Sequence, residues 1–350
     1  MHDDAGAATE EEFPLGPMQA GMLFQALLEP GGGFDIEQLV VHLREPVDLG
    51  LLAEAWAEAT RRHDSLRLVF RWEGHDRPVQ RFLVAHTPEI VQHDWDGLGD
   101  EETTARLEAL LDSDRHRGFD LTRPPWRVHL CVRGPERVEM LWSVHHLAVD
   151  GRSVATLLQE IFGRNDAQRL GRPPSPLAAP RAMADVLREL GRGAAGSFDP
   201  THWTTLLGDK RAPTPLPFAE PATRTLEEAG SGAAVVHLDE GTTAGLHALA
   251  VQCGATMGAV VHALWALCLA RWSGERDVVF GTTRSTRRRG PAGDDADVVG
   301  MFINTLPLRA DLDDERTLRE LVLEITRQSQ ALRGRERDSL VDIARCSGLP

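Results

Sequence analysis

On both sides of a proline-rich stretch, apolar residues in this chain recur in the same order, first at strand spacing and then at helical spacing. That repeat constrains the chain to an α/β (α+β) architecture of two similar lobes. In the first half, Pro17 opens a helix whose apolar face is Met18, Met22, Leu23, Leu27 and Leu28, stopped by Pro30-Gly31-Gly32-Gly33. A strand over Gln38 to Leu43 precedes an amphipathic helix from Leu49 to Arg62, with Leu52, Ala55, Trp56 and Ala59 on one face. Paired strands follow at Leu66 to Arg71 and Pro78 to Val84, then at Trp126 to Val132 and Arg137 to His145, around Glu73-Gly74-His75-Asp76 and Gly134-Pro135. A helix around Val154 to Phe162 ends this half. In the second half the order is a strand at Ala234 to Leu238, a helix at Thr242 to Gln252, an apolar core helix at Thr256 to Trp272 and strands at Asp277 to Thr282 and Met301 to Arg309. A helix at Thr317 to Leu332 and a segment at Ser339 to Arg345 complete it.

The expected organisation is a flexible N-terminus over 1–12, an N-terminal lobe over 13–170, a connector over 171–232 and a C-terminal lobe over 233–350. The connector carries Arg172-Pro173-Pro174-Ser175-Pro176, a helical segment at Arg181 to Leu190, a piece around Trp203 and the proline-rich Ala212 to Pro221. At 350 residues two lobes are the default, since a single core rarely grows that large.

A net charge of −15 argues against a sequence-independent grip on nucleic acid, which is built on cations neutralising phosphates. The N-terminal residues resemble no secretory signal, and Thr256 to Trp272 contains His262 and Arg271, so no membrane role and a cytoplasmic location are expected. Four scattered cysteines, three of them in apolar runs, read as reduced and structural.

The chemistry concentrates in His145-His146-Leu147-Ala148-Val149-Asp150-Gly151, at the end of the strand Val138 to Val144. Alternation along a strand sends adjacent side chains to opposite faces, so one histidine must work alone while its neighbour packs inward. An acyl transfer needs a base or positioning group and donors for a developing oxyanion, which His146 and Gly151 can supply. Asp150 suggests a turn returning a carboxylate under the loop, held by a cation from elsewhere. A lone histidine after an apolar strand is more often satisfied locally, and the Asp-Gly spacing is what raises His146 above that. Metal is disfavoured: no third ligand stands nearby at helical spacing, and no phosphate-cradling glycine motif is present.

Several runs together resemble the condensation domains of non-ribosomal peptide synthetases, in the chloramphenicol acetyltransferase-like superfamily that carries HHxxxDG. Pro14-Leu15-Gly16-Pro17-Met18-Gln19-Ala20-Gly21-Met22-Leu23-Phe24 is similar to the first core motif and Arg62-His63-Asp64-Ser65-Leu66-Arg67-Leu68-Val69-Phe70 to the second. HHLAVDG is the third, and Val299-Gly300-Met301-Phe302-Ile303-Asn304-Thr305-Leu306-Pro307-Leu308-Arg309 resembles the VGxFxNTxPxR segment, with Asp277 to Thr283 ahead of it. The matches span residues 14 to 309 in order.

The resemblance implies a V-shaped pseudo-dimer of two acetyltransferase-like lobes, with His146 in a tunnel between upstream and downstream peptidyl carrier proteins and adjacent synthetase domains around it. Amide-bond formation between a donor acyl or peptidyl thioester and an acceptor aminoacyl thioester would follow. No cofactor is expected on the chain, the substrates riding on phosphopantetheine of the carriers. The resemblance further implies that Arg67 pairs with Asp150, that His145 supports the loop, and that Asn304 and Gly300 serve the tunnel or the inter-lobe region, Gly300 as a turn. The arginines 284, 287, 288 and 289 read as a solvated loop rather than a guide for the phosphopantetheine arm. The wording of the first motif points to the subclass that takes a D-configured donor. Departures are Arg152, where an aromatic or apolar residue is usual, and an end at Pro350 before the family's last motifs, so the second lobe is expected to be incomplete. Two other classes stay open: a related acyltransferase with a free alcohol or amine acceptor, and a non-catalytic module that recruits carrier proteins.

Overall fold

The computed structural model describes residues 11–172, 179–192, 198–210, 212–216, 234–288, 294–313 and 315–348. Most of the segment expected to be flexible at the N-terminus, much of the connector and Arg289 lie outside them. The chain divides into two compact units, 1–195 with 287–303, and 196–286 with 304–350. The division departs from the sequence-based boundaries, because the helix after the first proline-rich run and the segment ahead of Asn304 both pack in the first unit.

The first unit begins with β1 (Phe13–Pro14), α1 (Pro17–Leu28), β2 (Ile36–Leu43) and α2 (Leu49–Arg62). The Asp48 carboxylate caps α2 by accepting from the amides of Gly50 and Leu51, and Arg61 and Arg62 complement the helix dipole at its far end. Its predicted stripe, Leu52, Ala55, Trp56 and Ala59, is buried. A short 3₁₀ turn over Asp64–Arg67 leads into β3 (Leu68–Arg71), followed by β4 (Val79–Phe82), β5 (Ile90–Asp94), α3 (Asp100–Arg117), β6 (Trp126–Val132), β7 (Val138–His145), α4 (Gly151–Arg169) and α5 (Met183–Arg192).

The strands form a four-stranded sheet in the order β2-β7-β6-β5 and a three-stranded one in the order β1-β4-β3. Strand β7 is antiparallel to both neighbours, with Ile36 opposite His145 and Trp126 opposite Val144. All eight residues of β7 are buried, as a central strand covered on both faces requires. Met140, Trp142 and Val144 join the apolar core, where Trp56 stacks on Trp126 and meets Trp142 edge-on. The alternate face carries Arg127 and His129, both bound to Asp114 of α3. Burial alone would raise the Asp114 carboxyl, but its hydrogen bonds from His129 and Arg127 hold it well below the usual carboxylate range.

The second unit comprises α6 (Pro200–Leu207), α7 (Glu240–Gln252), α8 (Met257–Ser273), β8 (Asp277–Ser285), most of β9 (Ile303–Asp311), α9 (Leu318–Ala331) and α10 (Leu340–Ser347). Strands β8 and β9 pair, and Trp203, Val260, Ala263, Leu306, Leu308, Val322 and Ile325 form the core. Ala234 to Leu238 is not a strand: it pairs with nothing among the described residues, and Val235 and Val236 are exposed. Its apolar content mimics a strand, yet a strand exists only where a neighbour takes up its backbone groups. Among the described residues no single helix is long and apolar enough to cross a membrane. Cys131 and Cys253 are buried, whereas Cys268 is exposed, contrary to its reading as structural; burial pushes the Cys131 thiol up to about 12.

Candidate active site

Strand β7 ends at His145, and His146 opens the turn that leads into α4. His145 is buried, and its Nδ1 accepts the amide of Leu147 at 3.3 Å. Burial, with the neighbouring His146, pulls the His145 imidazole down to about 4, so the ring is neutral at physiological pH. His146 is half-buried, its main-chain N–H donates to the Asp35 carbonyl at 2.7 Å, and its ring Nδ1 has no hydrogen-bond partner among the described residues. An unsatisfied buried ring nitrogen is uncommon in a native structure.

The loop is braced from three directions. The Gln19 side chain donates to the Leu147 carbonyl at 2.9 Å and to Gln80 at 3.1 Å, which gives the first motif its task. In the second motif, the Asp64 carboxylate accepts the amides of Met183 and Ala184, each at 2.9 Å, and Ser65 Oγ donates to the Val299 carbonyl at 2.5 Å. The Asp64 bonds hold the start of α5, and the Ser65 bond ties the motif to the segment that carries Gly300.

Asp150 caps α4, accepting from Ser153 N at 2.8 Å and Ser153 Oγ at 2.7 Å. Its cation is Arg287, whose Nη2 reaches the two carboxylate oxygens at 2.8 and 2.9 Å. Arg287 also donates to the carbonyls of Asp295 and Val298 and lies over the Phe302 ring at 4.2 Å. The implied Arg67–Asp150 bridge is therefore corrected. Arg67 instead donates to the carbonyls of Thr60 and Arg61, at the end of α2, and to Leu83 O at 2.9 Å. The last turn of a helix leaves carbonyls without intrahelical donors, and Arg67, a few residues on, is well placed to serve them.

Two arginines of the run are likewise not solvated loop residues: Arg287 is 3% exposed, and Arg288 pairs with Asp295 and Glu189. Arg284 donates to Ser329 O. Arg152 turns to the Ala296 carbonyl at 2.6 Å.

Gly300 sits at a bend, and it is also a point of close approach. Its amide donates to Ser153 Oγ at 3.0 Å and its carbonyl accepts from Asp150 N at 3.1 Å, while an added Cβ would stand 2.9 Å from Met183 Sδ. Gly151, the first residue of α4, has open space where a Cβ would lie, so nothing within its surroundings demands glycine. Asn304 is buried, and its amide donates to the carbonyls of Glu336 and Asp338, each at 2.9 Å, pinning the α9–α10 connection within the second unit. Among the described residues no cluster of potential metal ligands is found.

Sequence reasoning missed Arg287, Gln19, Ser153 and Asp35 as partners of the loop. Gln19 and Ser153 had a signal in their nearness to quoted motifs; Arg287 had none, since its partner lies 137 residues away.

The fold is one already seen. The first condensation domain of the calcium-dependent antibiotic synthetase superposes with a TM-score of 0.75 at 24% identity, over 97% of this chain and 78% of that one. The X-domain from teicoplanin biosynthesis gives 0.78 at 25% identity, over 99% and 76%. The chain belongs to the Condensation domain family, whose model matches residues 9–345. Among curated proteins it is 34% identical over 345 residues to a component of the linear gramicidin synthase of Brevibacillus parabrevis and 30% identical over 321 residues to surfactin synthase subunit 3 of Bacillus subtilis (strain 168). It covers 97% and 91% of itself in these matches but spans only 4% and 25% of those proteins.

Proposed function

We propose that this chain forms an amide bond between two carrier-bound thioesters in non-ribosomal peptide synthesis, with His146 at the reacting centre. The observation that carries the reading is a half-buried His146 held through its main chain in the turn after a fully buried strand, its ring Nδ1 without a hydrogen-bond partner among the described residues. Membership of the Condensation domain family and the likeness to peptide synthases support it.

An acceptor α-amine, with a pKa near 8, is already about a tenth neutral at pH 7, so attack on an activated thioester needs little base help. The amine nitrogen bonds to the donor carbonyl carbon, and the C–S bond breaks to release the donor's phosphopantetheine thiol. His146 orients the amine and takes its proton late, passing it to the departing sulfur; most of the acceleration comes from holding the reactants together. At the start of α4, Asp150 holds the amide of Ser153, leaving the amide of Gly151 in the first turn as a donor for the developing oxyanion. His145 and the Asp150–Arg287 pair are scaffolding.

The partners in this proposal are upstream and downstream peptidyl carrier proteins and adjacent synthetase domains in the cytoplasm. A D-configured donor terminus is part of the proposal; clear preference for matched L-terminal donors would reject that part. Offering loaded donor and acceptor carriers and analysing the acceptor by mass spectrometry tests the whole, with a dipeptidyl thioester expected from wild type and none from His146→Ala. No product from soluble, folded wild type rejects it. The second reading is a recruitment module, favoured by the likeness to an X-domain that has been solved in complex with OxyB. The unbroken HHxxxDG stands against it.

A further inference from the structure

We propose that Asp35 is the residue that positions His146, by presenting its carbonyl from a left-handed backbone at the mouth of β2. The proposal rests on the reading of His146 as the reacting group. The ladder between β2 and β7 has its last pair at Ile36 and His145, and the bond from His146 N–H to Asp35 O extends it by one step. Asp35 and His146 thus stand opposite one another, one step beyond the last strand pair. Their charges interact across this step: burial raises the Asp35 carboxyl, His146 draws it back, and Glu37 adds to the rise.

Asp35 is the one non-glycine residue with positive φ among those described, at 55°. Side chains other than glycine pay for this conformation in strain, which persists only where its surroundings over-determine it and which clusters at functional sites. Asp and Asn tolerate it best, because their short polar side chains bond locally. The backbone change turns the chain out of β2 at the point where His146 leaves β7. With an ordinary extended or helical φ at position 35, the carbonyl would point elsewhere, His146 N–H would lose its acceptor, and the imidazole would lose its fixed root.

Hydrogen exchange of single amides reads this without reference to catalysis. In Asp35→Asn, which keeps left-handed tolerance, the His146 amide should stay protected and amide formation should remain within about twofold of wild type. In Asp35→Ala, which resists that conformation, exchange of the His146 amide should rise by tenfold or more. The His145 amide, bonded to Pro125 O at 2.9 Å, should not change. The Ala variant should also lose at least tenfold in kcat for amide formation with little change in KM for the loaded carriers, and Asn should rescue it. Asp35→Ser repeats the measurement should Ala fail to fold. Unchanged His146 protection in folded Ala or Ser variants overturns the proposal, as does an Asn variant as impaired as Ala. Altered exchange in a protein that makes no amide rejects the proposed activity and leaves the positioning intact; His146-dependent amide formation with unaltered exchange does the reverse.

Discussion

Arg287→Ala removes the only cation bonded to Asp150 among the described residues, and the size of the loss follows from the burial of both partners. The two side chains are 3% and 2% exposed, so solvent screens them little. After the substitution, Asp150 keeps the donors Ser153 N, Ser153 Oγ and Phe302 N but no counter-charge. Leaving such a charge uncompensated costs about 3–5 kcal/mol. Asp150→Ala should cost about the same and, because it also removes the cap of α4, about 1 kcal/mol more. The double variant should fall short of the sum by about 2–3 kcal/mol, since the second change removes a partner already orphaned. Urea unfolding followed by tryptophan fluorescence measures this, because Trp56, Trp126 and Trp142 sit in the core of the same unit. Additivity within about 0.5 kcal/mol would refute the bridge. So would a larger coupling of Asp150→Ala with Arg67→Ala than with Arg287→Ala.

The depressed His145 gives a pH signature. Its folded value near 4 lies below the unfolded 6.5, so the unfolded chain binds the proton first and stability falls as pH drops from about 6.5 towards 4, by up to about 3 kcal/mol. His145→Gln should flatten that slope in unfolding measured across this range. Gly300→Ala should destabilise the first unit by about 1–3 kcal/mol, because a methyl group meets Met183 Sδ and the Phe302 ring, and trimming Met183 to Ala alongside it should recover part of the loss. Asn304→Ala leaves two carbonyls of the α9–α10 connection without their donor and should cost about 1–3 kcal/mol, with the faster hydrogen exchange confined to the second unit.

Elements with an apolar period were legible in the sequence. Helix α2 lies where Leu52, Ala55, Trp56 and Ala59 indicated, and β7 runs into the double histidine as its buried run implied. Helix α3 escaped notice because it buries only Thr103 and Asp114, and its ends carry acids first and bases last rather than an apolar face. Ala234 to Leu238 shows the converse, a strand-like composition without a partner. At the site, the motif itself was readable, but the pairing of Asp150 was not. Arg67 was the partner the resemblance implied, and the fold decided otherwise: Arg67 is consumed by the end of α2, while Arg287, Gly300 and Phe302 bond to Asp150 and Ser153 at the start of α4. No local pattern records a contact made across such a separation. Asp35 was invisible for a related reason, since its role lies in a backbone angle rather than in its side chain.

The central claim is that His146 does the work and His145 does not. Single-turnover amide formation between loaded donor and acceptor carriers tests it in wild type, His146→Ala and a folded His145→Gln. The account predicts a loss of about 10²–10⁴-fold for His146→Ala, the range expected for one positioned acid–base group, and a far smaller loss for His145→Gln at neutral pH. A His146→Ala protein as fast as wild type, or a His145→Gln protein as slow as His146→Ala, would contradict it.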